Sequence, residues 1–254
     1  MTTLDQAAEE RFGIKVDPGD VKRLQEHIRK TCGREDMENI NKVFSSGEAA
    51  AFLTVNETYF FREPAHFRLL WDLLPSFKET GIQICCAAVA AGCEAYSIAM
   101  LLETYNRSIE KPIHYHIDAF DLNPKVIEAA CQGLYSDRAL REDGSSFRYM
   151  TAPYLKKLEN GYRVADSLKN NICFFVHNLM YPLPRKTYDL VFFRNAFIYF
   201  LPQYRERILS NLSAVLKEDG ILIMGVSETA GVCHADFDEK IQNDVFYFQC
   251  RNRR

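Results

Sequence analysis

From about residue 80 the chain alternates short apolar runs with helical stripes, and this alternation restricts its fold more than any other feature. Residues 82–89 form an apolar run leading to Gly92, followed by a helical pattern carrying Ile98, Ala99, Leu101 and Leu102. Residues 113–120 make a second run ending at Asp121, and Asn123-Pro124 opens the next helix. A third run, 188–193, ends at Arg194-Asn195. Ile208, Leu209, Leu212, Val215 and Leu216 then mark an amphipathic helix stopped by Asp219-Gly220, and residues 221–226 are a further strand. Repeated strand–helix units predict an α/β fold with a parallel, doubly wound sheet, whose ligands bind at the strand carboxyl ends.

Two regions depart from the alternation. Residues 1–70 read as a small N-terminal helical domain, leaving 71–254 for the sheet. Asp17-Pro18-Gly19-Asp20 is a helix start, with a capping side chain, a proline in the first turn and an acid near the positive end. In the helix that follows, Arg23, His27, Lys30 and Arg34 form a basic stripe beside the apolar Val21, Leu24 and Ile28. Such a stripe is either a solvated face or a docking surface for an acidic partner helix. Within residues 136–178, the segments 161–165 and 172–176 have strand composition, the first after an Asn160-Gly161 turn, which predicts a small β insertion at about 145–177.

Composition removes several function classes. A formal charge of −3 gives no basis for capture of nucleic acid or an anionic membrane. No apolar run reaches membrane-spanning length and the first residues lack a signal peptide's basic and apolar regions, so a cytoplasmic location is expected. Cys32, Cys85, Cys86, Cys93, Cys131, Cys173, Cys233 and Cys250 contain no Cys-x-x-Cys pair and read as small buried hydrophobes in a reducing compartment. His114-x-His116 has no companion ligands placed by the sequence, so no metal site is expected. A G-x-G-x-x-G loop and a Walker lysine are both missing, which disfavours a dinucleotide dehydrogenase or an NTPase.

The chemistry-bearing positions lie in a few short motifs. Asn56-Glu57-Thr58-Tyr59-Phe60-Phe61-Arg62-Glu63-Pro64 sets one cation inside an aromatic cluster. Packing alone does not ask for an arginine there, and its planar fork of donors suits a carboxylate. The alternative is a helix packed on the core, with Arg62 paired to Glu63 or reaching water. Gly92 closes a strand–loop–helix turn, and Asp121, at the end of the second strand, can accept from ribose hydroxyls. Glu94 can meet a cationic amino group or serve only the helix dipole.

These motifs resemble the CheR-type chemotaxis receptor (protein-glutamate) O-methyltransferases, enzymes that use S-adenosylmethionine (SAM). The resemblance runs from about residue 10 to 250. It rests on residues 56–63, on Gly92-Cys93-Glu94-Ala95-Tyr96-Ser97-Ile98-Ala99-Met100, on Asp121-Leu122-Asn123, on Asn178-Leu179, on residues 193–200 and on Gly225-Val226-Ser227-Glu228. It implies a Rossmann-like SAM-dependent methyltransferase sheet, with cofactor contacts at Asn56, Thr58, Arg62, Glu94, Asp121, Asn178, Leu179, Phe193 and Arg194. Glu94 would meet the methionyl ammonium, Asp121 the ribose, and Asn178 and Leu179 the adenine. Arg62 and Tyr199 would flank the sulfonium and the incoming carboxylate. The resemblance also implies chemoreceptor helices as partners, with the N-terminal unit assisting. Residues 158–164 resemble family members that do not use a receptor's C-terminal pentapeptide. Cys93 stands where a glutamate is usual, Ala95 where a proline is, and Ala90-Ala91 where a Ser-Thr pair is. A receptor-binding or SAM-sensing module without turnover is the alternative reading.

Overall fold

The computed structural model describes residues 3–77, 79–184, 187–230, 232 and 234–251; Cys233 lies outside them. Helices α1 (Leu4–Phe12), α2 (Pro18–Cys32), α3 (Met37–Ser45) and α4 (Ala50–Leu53) come first, followed by α5 (Pro64–Leu73). The remainder runs β1 (Ile82–Ala87), α6 (Cys93–Asn106), β2 (Tyr115–Asp121), α7 (Pro124–Gln132), β3 (Leu134–Tyr135), α8 (Arg148–Thr151), β4 (Leu155–Leu158), β5 (Gly161–Val164), α9 (Asp166–Lys169) and β6 (Ile172–Val176). It ends with β7 (Tyr188–Phe193), α10 (Pro202–Ser213), β8 (Leu216–Met224), β9 (Phe237–Gln242) and β10 (Val245–Cys250).

Seven strands form one sheet in the order β6-β2-β1-β7-β8-β10-β9. The first five are parallel, and β10 and β9 add antiparallel at one edge. Both faces are covered, so the central strands alternate between two cores. Ile84 and Cys86 of β1, with Leu190 and Phe192 of β7, join the core beneath α5 and α6. Cys85, Ala87, Val191 and Phe193 join the core under α1, α2, α3 and α10. The order reverses between β1 and β7, and a crevice opens outside the carboxyl ends of strands at such a switch point.

The expected doubly wound α/β sheet is present, with several boundaries moved. A division at residue 70 would cut α5, which packs against α6 and β10. The N-terminal helices share a continuous core with the sheet and are not separated from it by an independent one. The small sheet has the order β3-β5-β4 and lies within residues 134–164. Residues 172–176, expected near the insertion, are instead the edge strand β6 of the main sheet, paired with β2 from Ile117↔Ile172 to Asp121↔Val176. The helix expected to stop at Asp219-Gly220 ends at Ser213; Asp219 has φ 59° inside β8, where the register with β7 shifts.

The α2 start behaves as its sequence predicts, with Asp17 Oδ1 accepting from Gly19 N–H at 2.8 Å. Gly33, at φ 82°, ends the helix, which leaves Arg34 beyond it and off the expected stripe. Arg34 pairs with Asp36, Arg23 with Asp20 and His27 with Glu48. Lys30 is exposed. Asn123 caps α7 by accepting from Lys125 N–H at 3.0 Å.

Candidate active site

A cavity whose empty space, open mouth included, is about 1000 Å³ lies at the carboxyl ends of β1, β2, β6 and β7. Its walls come from the end of α1, the 53–62 segment, the loop after β1 and the segments following β2, β6 and β7. The 54–63 stretch is not the helix that packing alone allowed. It is irregular, and Phe61 and Glu63 take left-handed φ values of 54° and 55°. Ala88, Ala90 and Asn195, on the facing loops, are also left-handed. Non-glycine residues in that region cost on the order of 1 kcal/mol each, and such strain gathers where loops are shaped for a ligand. Gly92 has φ 87°, and a Cβ there would lie 2.8 Å from Ala130 Cβ.

Asp121 is nearly buried at the end of β2. Its Oδ2 accepts from Ala90 N–H at 2.8 Å and its Oδ1 from Asn123 N–H at 2.9 Å. Burial pushes its carboxyl above the usual range, against those backbone N–H groups and that of Leu122. Each carboxylate oxygen retains lone-pair capacity for a ligand hydroxyl. The same carboxylate also fixes the loop after β1, a duty the sequence did not disclose.

A largely buried polar network forms the cavity floor. Arg194 Nη1 donates to Glu94 Oε2 at 2.8 Å, Nη2 donates to Glu63 Oε2 at 3.3 Å and to the Arg62 carbonyl, and Nε donates to His66 Nδ1 at 3.0 Å. Burial pushes the Glu94 carboxyl up and the Arg194 charge opposes it. Burial also opposes ionisation of Glu63, but the Arg194 charge and the Asn195 amide outweigh it and hold this carboxyl well below the usual range. His66 Nδ1 lies 3.2 Å from Glu63 Oε2. Because Arg194 Nε–H can only donate, Nδ1 accepts, the ring proton sits on Nε2 and that contact is no ion pair. Arg194 and Asn195 therefore carry the effect on Glu63. Burial lowers the pKa of His66, consistent with a neutral ring.

The rim differs in character. Arg62 Nη1 donates to the Glu57 carbonyl at 3.1 Å, and the guanidinium lies 5.5 Å from the Tyr59 ring centre. Nearby carboxylates are engaged elsewhere, Glu57 with Arg141 and Glu63 with Arg194. Tyr199 is 37% exposed at the mouth, on a tight turn from Phe197 to Tyr199. That turn is pinned by buried Glu228, whose Oε2 accepts from the N–H groups of Asn195 and Gly225 and whose Oε1 accepts from Ile198 N–H. The arrangement can hold a cation and hydroxyls at its acidic end and an anion at its rim.

A family model described as "CheR methyltransferase, SAM binding domain" matches residues 56–246. The chain belongs to that family. It is 33% identical over 190 residues to a chemotaxis protein methyltransferase of Borreliella burgdorferi, covering 70% of this chain and 65% of the relative. To a chemotaxis protein methyltransferase of Vibrio parahaemolyticus it is 35% identical over 184 residues, covering 70% and 66%. To a probable biofilm formation methyltransferase, WspC, of Pseudomonas aeruginosa it is 31% identical over 197 residues, covering 73% and 45%. The chain thus spans less than two thirds of the length of these relatives.

In this CheR domain, Asn56, Thr58, Arg62, Glu94, Asp121, Asn178, Leu179, Arg194 and Tyr199 all line the one cavity. Phe193 does not. Its side chain is fully buried against Phe197 and Phe200, because the alternation along β7 turns it into the core. Arg194 is buried behind Glu94, so its main partners are protein groups. Asn178 spends its amide on structure: Nδ2 donates to the Arg11 carbonyl at 3.0 Å and Oδ1 accepts from Met180 N–H at 2.9 Å. Glu63, His66 and Glu228 were missed as site residues. Glu63 and Glu228 lie inside motifs the sequence singled out, but nothing in their spacing discloses that Glu63 meets Arg194 and Asn195 or that Glu228 is turned toward backbone N–H groups.

Proposed function

We propose that this CheR domain transfers the methyl group of SAM to glutamate side-chain carboxylates of chemoreceptors, in the cytoplasm. The observation that carries the reading is one cavity with the buried Asp121 and the partly buried Glu94 on one side and Arg62 and Tyr199 at the rim. These residues fit SAM: acceptors for ribose hydroxyls and an ammonium, and apolar Leu53, Phe120 and Leu179 for a flat base. SAM supplies an electrophilic methyl group on a sulfonium. A glutamate has a pKa near ~4.3, so it is ionised at neutral pH and the domain needs no general base. What remains is orientation and exclusion of water, with an upper limit on the order of 7–11 kcal/mol from positioning.

Arg62 holds the acceptor carboxylate through its free donors, and Tyr199 orients it by a weaker neutral hydrogen bond. Receptor contact through α2 rests on Arg23, His27 and Lys30; Asp20 and Glu48 already meet the first two, so this face offers modest net charge. The small sheet supports independence from a receptor's C-terminal pentapeptide, since β4 has only four residues and β3 only two. Among the described residues no helix is long and apolar enough to cross a membrane.

The test is methyl incorporation from labelled SAM into receptor-containing membranes. Arg62→Ala should lower turnover by on the order of 10²-fold, measured at saturating SAM. Tyr199→Phe should slow transfer measurably while keeping most affinity for S-adenosylhomocysteine (SAH). Normal turnover in both folded variants refutes the acceptor site. Absent turnover in the unsubstituted domain refutes the enzyme and leaves the binding module.

A further inference from the structure

We propose that Tyr135, on the small sheet and outside the cavity, is a positioning residue for the cofactor: its hydroxyl clamps the loop after β1 in the shape that faces the ligand. This deepens the SAM-dependent reading above and rests on it.

The loop of residues 88–92 has no means of holding itself. Its sequence, Ala-Val-Ala-Ala-Gly, offers no hydrogen-bonding side chain, yet Ala88 and Ala90 take left-handed φ values of 58° and 49° and Gly92 one of 87°. Strained backbone of this kind persists only where its surroundings over-determine it. Ala88, Val89 and Ala90 line the cavity, and Glu94 follows closely. Among the described residues, two side chains bond to the loop backbone from outside. Asp121 Oδ2 accepts from Ala90 N–H, and Tyr135 Oη donates to the Ala91 carbonyl at 2.6 Å. Asp121 also serves the ribose in the reading above, so Tyr135 is the clamp the ligand does not share.

Tyr135 is fixed for this task. Its ring packs edge-on against Phe60 at 5.0 Å and Tyr96 at 6.2 Å, and its backbone pairs with Tyr162 of β5. Gly161 permits that pairing, because a Cβ there would stand 2.0 Å from the Tyr135 carbonyl oxygen. Burial pushes the Tyr135 hydroxyl well above the usual phenol range, so it remains a donor. The acceptor end of the cavity is anchored separately. Glu228 pins the Tyr199 turn, Lys15 N–H donates to the Tyr199 carbonyl at 2.8 Å, and Leu201 N–H donates to the Gly13 carbonyl at 2.9 Å. Losing the Tyr135 bond therefore acts on cofactor affinity and not on the transfer step. A loop that holds its shape about a tenth of the time binds about tenfold more weakly.

Tyr135→Phe removes the hydroxyl and keeps the ring. SAH binding by calorimetry should weaken about tenfold and the KM for SAM should rise alike, while turnover at saturating SAM stays within about twofold. Tyr115→Phe is the control, since its hydroxyl donates to Glu103 at 2.8 Å from the amino end of β2, away from the cavity. It should lose comparable unfolding stability and keep its SAH affinity. Without any ligand, amide exchange at Ala90 and Gly92 should quicken about tenfold in Tyr135→Phe and stay unchanged in Tyr115→Phe. Unchanged SAH affinity in Tyr135→Phe, or equal weakening in both variants, overturns the proposal, as does a fall in saturated turnover in place of affinity. If the unsubstituted domain binds SAH but does not methylate, the methyl-transfer reading fails and calorimetry still decides this one. If it binds no SAH, the SAM-dependent reading fails, and unchanged exchange in Tyr135→Phe would overturn the clamp as well.

Discussion

Replacing Arg194 by methionine keeps a long apolar stem and removes every donor that holds Glu94, Glu63 and His66 together. The Arg194 side chain is 1% exposed, and its two acidic partners are 13% and 22% exposed. Deleting one partner of a buried pair costs about 3–5 kcal/mol, because the charge left behind stays desolvated. The cavity lets some water reach both carboxylates, which sets the expected loss near ~3 kcal/mol, within the total stability of an ordinary domain. The loss also depends on pH. Glu94 already has a folded pKa raised by burial, and removing Arg194 raises it further. A carboxyl with a raised folded pKa binds its proton more tightly in the fold, so the variant recovers stability as pH falls through that value. Glu63, depressed in the unsubstituted protein, contributes stability above its unfolded value of ~4.3 that is lost in acid. The deficit should therefore be largest where both carboxyls are ionised in the unfolded chain and shrink as pH falls through the raised Glu94 value, by roughly 1.4 kcal/mol per unit of differential shift. Urea unfolding at pH 7.5 and 5.5, with equal denaturant slopes, measures both quantities. A deficit under ~1 kcal/mol at pH 7.5, or one independent of pH, would refute the claim that these ion pairs hold the cavity floor.

Asp121→Ala should weaken SAH binding by on the order of 2 kcal/mol, the scale of a lost charged acceptor, and should also lower unfolding stability, since the N–H groups of Ala90 and Asn123 lose their partner. Unchanged calorimetric affinity in the folded variant would remove Asp121 from the cofactor site. Receptors with and without their last few residues should be methylated at equal rates; strict dependence on the tail would show that the short β4–β5 sheet suffices for strand addition.

The main sheet was legible because β1, β2, β7 and β8 are apolar runs bounded by turn residues, and their buried positions follow from two covered faces. The β9–β10 hairpin was missed. Its alternation is diluted by Asp238, Glu239 and Lys240 on an edge strand, where one side meets water. Residues 172–176 were legible as a strand but not as part of the main sheet, since pairing partners are set by tertiary contacts and not by the run itself. The site was legible as short motifs whose cavity-lining members the fold gathers together. Phe193 was misplaced because a motif gives neighbours in sequence, while strand alternation sends Phe193 and Arg194 to opposite surroundings. Glu228 escaped as a site residue because its work is done on backbone N–H groups, which no side-chain pattern records, and Glu63 because its partners Arg194 and Asn195 stand 131 and 132 positions away.

The bonds joining Lys15 and Leu201 to the Tyr199 turn and to Gly13 also set an order of events during synthesis. Lys15 leaves the ribosome 184 residues before Tyr199, which at usual elongation speeds is about 10–40 s. For that interval Phe12 and Ile14 have no cavity to line and Gly13 has no strand to meet. Phe12 can meet Phe44 of α3 early, but the bridge between Ile14 and Phe200 can close only when β7 and its turn arrive. Closure of the segment after the first helix thus waits on residues 199–201, and truncated nascent chains ending before residue 199 should leave Ile14 unbridged.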